Sequence, residues 1–118
     1  KVILTGDVED KDLAKYYSNA LCFIYPSLYE GFGLPVLEAM QCGCPVIASN
    51  RTSIPEVIGD AGIQINPESD KEMIQAYEKM YFDAEFREKC SIKGIERAKL
   101  FSWENCAKSI LDFIQSTQ

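Results

Sequence analysis

Residues 26–40 read Pro-Ser-Leu-Tyr-Glu-Gly-Phe-Gly-Leu-Pro-Val-Leu-Glu-Ala-Met, and this stretch is the part of the chain that decides the fold. The apolar run before it, residues 21–25, predicts a buried strand. Leu34–Gln41 is predicted as a helix, and the proline in its first turn suits that position because no hydrogen bond is lost there. With glycines at 31 and 33, the stretch predicts a strand, a tight turn and a helix N-terminus in succession.

Two carboxylates, Glu30 and Glu38, stand eight positions apart on either side of this turn. Free N–H groups at a helix N-terminus suit phosphates, whereas carboxylates accept hydrogen bonds from the hydroxyls of ribose and hexose. A nucleotide sugar carries all three groups, so the pattern points to that class of ligand. The glycines alone also fit an ordinary turn with Glu38 solvated, because Val36 stands where a dinucleotide fingerprint has its third glycine.

The rest of the chain alternates short apolar runs with helical patterns, which predicts a parallel sheet. The expected strands are residues 2–4, 21–25, 45–48 and 62–65, with helices at Asp10–Asn19 and Leu34–Gln41. Ser53 and Ser69 each precede a glutamate by three positions and predict capping boxes. The fold class is therefore α/β, a Rossmann-like parallel sheet flanked by helices.

Three helices are predicted beyond residue 69, the last of them a helical C-terminal tail. Asp83 is expected to cap the second, which runs to about Leu100, and Ser102 the third. The apolar face expected for the first of these helices comprises Met73, Ile74, Tyr77 and Met80. The face expected for the third comprises Trp103, Cys106, Ile110, Leu111 and Ile114. Phe101 and Trp103 are interpreted as core or interdomain anchors in preference to a sugar-stacking platform.

Composition sets further bounds. Residues 1–118 form one domain, and a chain that starts abruptly without Met is expected to be a fragment of a longer two-domain protein. The net charge of −6 argues against a nucleic-acid partner, and no apolar run approaches the roughly 20 residues of a membrane segment. Five cysteines without metal-ligand spacing favour reduced thiols and a cytoplasmic location.

The chain contains no histidine, the usual general base. A retaining sugar transferase needs no such base, because the departing diphosphate oxygen can take the acceptor's proton. Asp10 and Asp12 have the spacing of a metal-binding acid pair, but acids at a helix start simply complement its dipole. No metal and no cofactor are expected. Thr52 and Ser53, in a loop that follows a strand, are further candidates for contact with a nucleotide.

The string from Glu30 to Met40 resembles, without a gap, the Glu-x7-Glu motif of retaining glycosyltransferases of the B fold, family 4 (glycosyltransferase group 1). The resemblance continues through residues 43–50 and 54–62 and covers essentially the whole chain. Residues 48–61 most resemble mannosyltransferase-like members that use GDP-mannose. The resemblance implies that the chain is the carboxy-terminal, donor-binding domain of such an enzyme.

The resemblance also implies roles for individual residues. Glu30 would be catalytic, contacting the transferred hexose and stabilising its positive transition state, and Glu38 would hold the ribose hydroxyls. Main-chain groups of the turn would meet the sugar and distal phosphate, and the stretch at Asp7-Val8 would touch the base. The implied donor-binding residues are Val8, Gly31, Phe32, Gly33, Leu34 and Glu38. The family's basic pair, which neutralises the diphosphate, would lie outside this chain.

The implied function is hexosyl transfer from a nucleotide-diphosphate sugar, with GDP-mannose favoured, to a glycan or lipid-linked acceptor with retention of configuration. The acceptor would be bound by a missing amino-terminal domain, which could also attach the protein to the inner face of the membrane. The isolated chain would then be inactive. Two alternatives are a non-catalytic nucleotide-sugar binding module and a glycogen-synthase-like or sucrose-synthase-like enzyme.

Overall fold

The computed structural model describes residues 1–29, 32–101 and 103–116, with the backbone alone for 103–109. The strands are β1 (Phe23–Tyr25), β2 (Val46–Ser49) and β3 (Ile63–Ile65). The helices are α1 (Asp10–Asn19), α2 (Leu34–Gln41), α3 (Ile54–Ile58), α4 (Asp70–Phe82), α5 (Ala84–Ala98) and α6 (Trp103–Ser116), with a 3₁₀ turn at Lys99–Phe101. The alternation of strands and helices confirms the predicted α/β class.

The three strands form a parallel sheet in the order β1-β2-β3, with Tyr25 opposite Ala48 and Ser49 opposite Ile65. All four residues of the central strand are buried. Its Val46 and Ala48 join one apolar cluster and its Ile47 joins another, so helices cover both faces of the sheet. A parallel sheet covered on both faces is the expected arrangement for successive β/α units.

The two clusters divide the helices between them. Side chains of α1, α2 and α3 fill the first cluster, whereas α4 and the first part of α5 fill the second. Helix α2 buries Val36, Leu37, Ala39 and Met40 in the first cluster. Burial of that face leaves Leu34 and Glu38 exposed on the other side of the helix.

The predicted first strand is wrong. Residues 2–4 adopt no regular structure, and the side chains of Val2, Ile3 and Leu4 are 87%, 72% and 92% exposed. A strand forms only when a neighbouring strand supplies its ladder hydrogen bonds, and none of β1–β3 pairs with this run. An apolar run thus predicted a strand for which the described residues provide no neighbour.

The capping predictions had mixed outcomes. Ser69 Oγ accepts from the Glu72 N–H at 3.2 Å, and Asp83 accepts from the Phe86 N–H at 2.9 Å, which confirms both caps. The second half of the predicted capping box is absent, because the Glu72 carboxylate accepts from the Asn66 N–H and the Ser69 N–H donates to the Asn66 carbonyl. Ser53 precedes α3 as predicted but makes no side-chain cap. Its backbone is already helical (φ −86°, ψ −4°), and its carbonyl takes the Glu56 N–H that the side chain would need.

The predicted apolar face of α4 is also partly wrong. Met80 is buried and Met73 packs beside it, but Ile74 and Tyr77 are 55% and 37% exposed because Ala76 occupies the contact with the sheet. In α6, the described side chains of the predicted apolar face, Ile110, Leu111 and Ile114, are exposed, and Ser102 lies outside the described residues. Within the described ranges, every helix is too short or too polar to span a bilayer.

Candidate functional site

The glycine turn ends at Gly33, which is the N-cap of α2 and has left-handed backbone angles (φ 81°, ψ 42°). Residues with a Cβ avoid this region, so the turn requires glycine. The helix begins where the Leu37 N–H donates to the Gly33 carbonyl at 3.2 Å. A Cβ placed on Gly33 would lie 3.5 Å from Ile54 Cγ1, which shows that the turn packs against the start of α3.

The N-terminus of α2 differs from those of its neighbours. Acidic side chains occupy the first turns of α1, α3, α4 and α5, whereas the first turn of α2 has none. In the described part of the chain, no side chain caps this end either. The N–H groups of Gly33, Leu34 and Val36 have no partner within the helix by its geometry. Among the described residues, none caps or neutralises the positive end of α2, which suits an anionic ligand.

Glu38 lies on the exposed face of α2, four residues after Leu34 and about 6 Å further along the axis. Its side chain lines a cleft of about 280 Å³ between α1 and α2, together with Asp10 and Tyr17. Burial raises the pKa of the Tyr17 hydroxyl, and the negative charge of Glu38 raises it further. Glu38 thus presents an exposed carboxylate about one helical turn beyond the uncapped N–H groups.

A second loop reaches the carboxyl edge of the sheet between β2 and α3. The Arg51 N–H donates to the buried Ser49 Oγ at 3.1 Å, and Arg51 Nη2 donates to Asn66 Oδ1 at 2.9 Å. Between these anchors and Ile54, Thr52 has a positive φ of 56°, an unfavourable angle for a β-branched residue. The loop is therefore fixed to the end of β3 and strained at Thr52, and it leads into α3, whose Ile54 lies against Gly33.

The structure places only some of the predicted site residues at the N-terminus of α2. Val8 is half-buried and lines an open groove of about 1050 Å³ with Asp7 and Asp12, whereas Glu38 lines the smaller cleft described above. Glu30 and Gly31 lie outside the described residues. Gly33, Leu34 and Glu38 are thus brought together on α2, with Phe32 directly before them.

Two contacts near the site were not expected from the sequence. The Phe32 ring meets Phe101 edge-on, with centroids 5.8 Å apart, and Arg97 lies against Phe101. Arg97 acts on residues about 40 positions away, so no local pattern could have identified it. Tyr17 was also missed, although it follows Leu13 by four positions on the apolar face of α1, a spacing that could have identified it.

The described residues contain no group of three or more Cys, Asp or Glu side chains placed to hold a metal ion. Cys22, Cys42, Cys44 and Cys90 are free thiols. Burial, reinforced by the neighbouring Cys22 and Cys42, raises the pKa of Cys44 to about 11.

The chain is similar to proteins of known class. The family profile described as glycosyl transferases group 1 matches residues 1–97. O-antigen chain mannosyltransferase B of Escherichia coli is 49% identical over 108 residues, which are 91% of this chain and 28% of that protein. The serotype-specific mannosyltransferase WbdA of Escherichia coli is 39% identical over 112 residues, covering 95% of this chain and 14% of that protein.

The fold comparison agrees with the sequence comparison. Sucrose-phosphate synthase from Thermosynechococcus elongatus superimposes with a TM-score of 0.87 and 31% identity, over 98% of this chain and 30% of that one. The chain thus spans 28% or less of the curated relatives described above. The profile, the relatives and the fold lead to one conclusion: the chain belongs to the glycosyl transferases group 1.

Proposed function

We propose that this chain is the donor-binding part of a retaining hexosyltransferase that uses a nucleotide-diphosphate sugar. The observation that carries the proposal is the start of α2. There, a left-handed glycine leads into N–H groups that no described side chain caps, the first turn of the helix contains no acid, and the exposed Glu38 follows about one turn later. Family membership supports the proposal because it gives the same segment a donor-binding role.

The diphosphate would bind at the N-terminus of α2. Main-chain N–H groups of Phe32, Gly33 and Leu34 would donate to the distal phosphate and the sugar hydroxyls, with Gly31 beside them in the donor site, and the helix dipole would favour the negative charge. An acid in this first turn would repel the phosphate, and the first turn of α2 contains none. A basic pair outside this chain would neutralise the remaining charge, so no metal ion is required.

Glu38 would hold the nucleoside half of the donor. Its carboxylate can accept hydrogen bonds from both ribose hydroxyls, each worth roughly 1.5–3 kcal/mol because the acceptor is charged. The position of Glu38, about one helical turn beyond the N–H groups, leaves room for the chain of atoms between phosphate and ribose. The backbone at Val8 would contact the base from the segment that leads into α1.

Glu30 would act on the transferred hexose. Its negative charge stabilises the anomeric carbon as that carbon becomes cationic. The bond from this carbon to the diphosphate oxygen breaks while the acceptor oxygen bonds to the same face. The acceptor's proton passes to the departing diphosphate oxygen, so the reaction needs no histidine base, and the chain has none.

The donor sugar in this proposal is mannose carried by GDP, and the acceptor is a glycan or a lipid-linked glycan bound by another domain. The relatives' names, O-antigen chain mannosyltransferase and serotype-specific mannosyltransferase, support this choice. The similarity to sucrose-phosphate synthase keeps a sucrose-synthase-like enzyme as the second candidate. The free thiols among the described residues favour the reducing cytoplasm as its location.

A donor panel tests the proposal. The full-length protein is titrated with GDP-mannose, UDP-glucose and, as a control, ATP, and the anomeric configuration of any product is determined by NMR. We expect GDP-mannose to bind most tightly and the product to retain the donor's configuration. Tighter binding of UDP-glucose would favour the second candidate. An inverted product would contradict the mechanism, and binding without turnover for every acceptor would indicate a binding module.

A further inference from the structure

The ring of Phe32 makes a specific contact in the glycine turn. Its centroid lies 5.8 Å from that of Phe101, and the ring planes meet at 69°. This is the edge-to-face geometry that aromatic pairs prefer. Phe32 remains 44% exposed, so the contact with Phe101 holds one side of the ring while the other faces solvent.

Phe101 is itself held by its surroundings. It is partly buried against the apolar cluster that includes Ile54, and the guanidinium carbon of Arg97 lies 5.9 Å from its ring centroid. Arg97 Nε donates to the Val57 carbonyl at 2.7 Å, and its Nη2 donates to the Glu56 carbonyl. A cation at these carbonyls complements the carboxyl end of α3.

Both ends of helix α3 thereby support the glycine turn. At its start, Ile54 packs against Gly33, and at its end the carbonyls of Glu56 and Val57 hold Arg97. Arg97 then contacts Phe101, which contacts Phe32. We call Phe32, Phe101 and Arg97 the aromatic brace.

We propose that the aromatic brace fixes the glycine turn in the conformation that binds the donor, so that Phe101 and Arg97 are positioning residues for the reaction. The inference rests on the proposed function. The brace acts on Phe32, whose backbone leads directly into the N–H groups of Gly33 and Leu34. Without the brace, the turn would sample more conformations, and donor binding would have to order it.

A double-mutant cycle in the full-length protein tests the inference. Phe101→Leu and Phe32→Leu are made singly and together, and the Kd for GDP-mannose is measured by titration. Each single change should weaken binding about 2- to 12-fold, the range expected for loss of one aromatic pair. The double variant should be no weaker than the poorer single variant, because both changes remove the same contact. The KM for the acceptor should not change.

Two further variants separate positioning from stability. Phe101→Tyr keeps the ring and should retain wild-type affinity, whereas Phe101→Met keeps a long apolar side chain without the ring and should not. Phe86→Leu is the matched control, since Phe86 is a partly buried ring on α5 that contacts Lys79 and lies in the other apolar cluster. It should lower the melting temperature and leave donor affinity unchanged.

The outcomes distinguish the inference from the function on which it rests. Additive effects of Phe101→Leu and Phe32→Leu, or equal affinity of Phe101→Tyr and Phe101→Met, would overturn the brace while the donor site stands. If Phe101→Leu fails to fold, the donor affinities of Phe101→Tyr and Phe101→Met decide between the two outcomes. If the wild-type protein binds no nucleotide sugar, the proposed function is wrong and the inference fails with it.

Discussion

Replacing Gly33 by alanine tests the glycine turn, because it changes the backbone more than the packing. The new Cβ would lie 3.5 Å from Ile54 Cγ1, an ordinary contact, so little steric cost arises. The strain comes from φ of 81°, which costs about 1–2 kcal/mol for a residue with a Cβ. Reduced freedom of the unfolded chain offsets about 0.4–1 kcal/mol of this. We expect a net destabilisation of about 1 kcal/mol.

Donor affinity should fall by more than stability does. The added strain favours a shift of residue 33 away from φ of 81°, and even a partial shift redirects the N–H groups of residues 33 and 34. Loss of one hydrogen bond to a charged phosphate corresponds to roughly 1.5–3 kcal/mol, or about 10- to 150-fold in Kd. The assay pairs a thermal melt of the full-length protein with a GDP-mannose titration at a temperature where the variant is folded.

Gly43 provides the matched control at the other end of α2. It also has a positive φ, 75°, and an added Cβ would lie 3.1 Å from Ser91 Oγ and 3.3 Å from Ile95 Cδ1. Gly43→Ala should therefore destabilise the protein more than Gly33→Ala while leaving donor affinity unchanged. Normal affinity in Gly33→Ala, or an equal loss of affinity in both variants, would refute the argument that this turn forms the phosphate site.

Three further predictions follow from the structure. Thr52→Gly should raise the free energy of unfolding by about 1 kcal/mol because it relieves a positive φ, and a lower melting temperature would contradict this. The pKa of the Cys44 thiol is about 9 in the unfolded chain and about 11 in the folded protein. The contribution of this thiol to stability is therefore complete below pH 9 and is lost as the pH rises to about 11. Cys44→Ala should flatten this part of a pH–stability curve, and an unchanged slope would contradict it. Transfer activity should survive excess EDTA, because in the proposed site N–H groups of this chain and basic side chains outside it hold the diphosphate. Strict dependence on magnesium or manganese would instead revive Asp10 and Asp12 as ligands.

Local sequence signals predicted the segments that position the site. The helix α2 has the predicted bounds, because a glycine turn and a proline define its start and Cys42-Gly43 its end. The caps at Ser69 and Asp83 were likewise predictable, since each depends on a hydrogen bond to a residue three positions away. In these cases the pattern and the interaction lie within the same few residues.

The predictions that were wrong or missed depend on residues distant in sequence. Residues 2–4 read as a strand, but whether an apolar run becomes a strand depends on a neighbour that the run does not specify. Arg97 reaches α3 across about 40 positions, and the positive φ of Thr52 follows from anchors at Ser49 and Asn66. Such tertiary contacts leave no periodic trace in the sequence.

The most direct test of the central claim is to compare Glu38→Ala with Glu30→Gln in the full-length enzyme. We expect Glu38→Ala to raise the Kd for the donor by a factor that corresponds to roughly 1.5–3 kcal/mol, and Glu30→Gln mainly to lower kcat. Glu78→Gln, an exposed carboxylate on α4, is the control and should change neither. Normal turnover in Glu30→Gln together with unchanged donor affinity in Glu38→Ala would contradict the donor site described above.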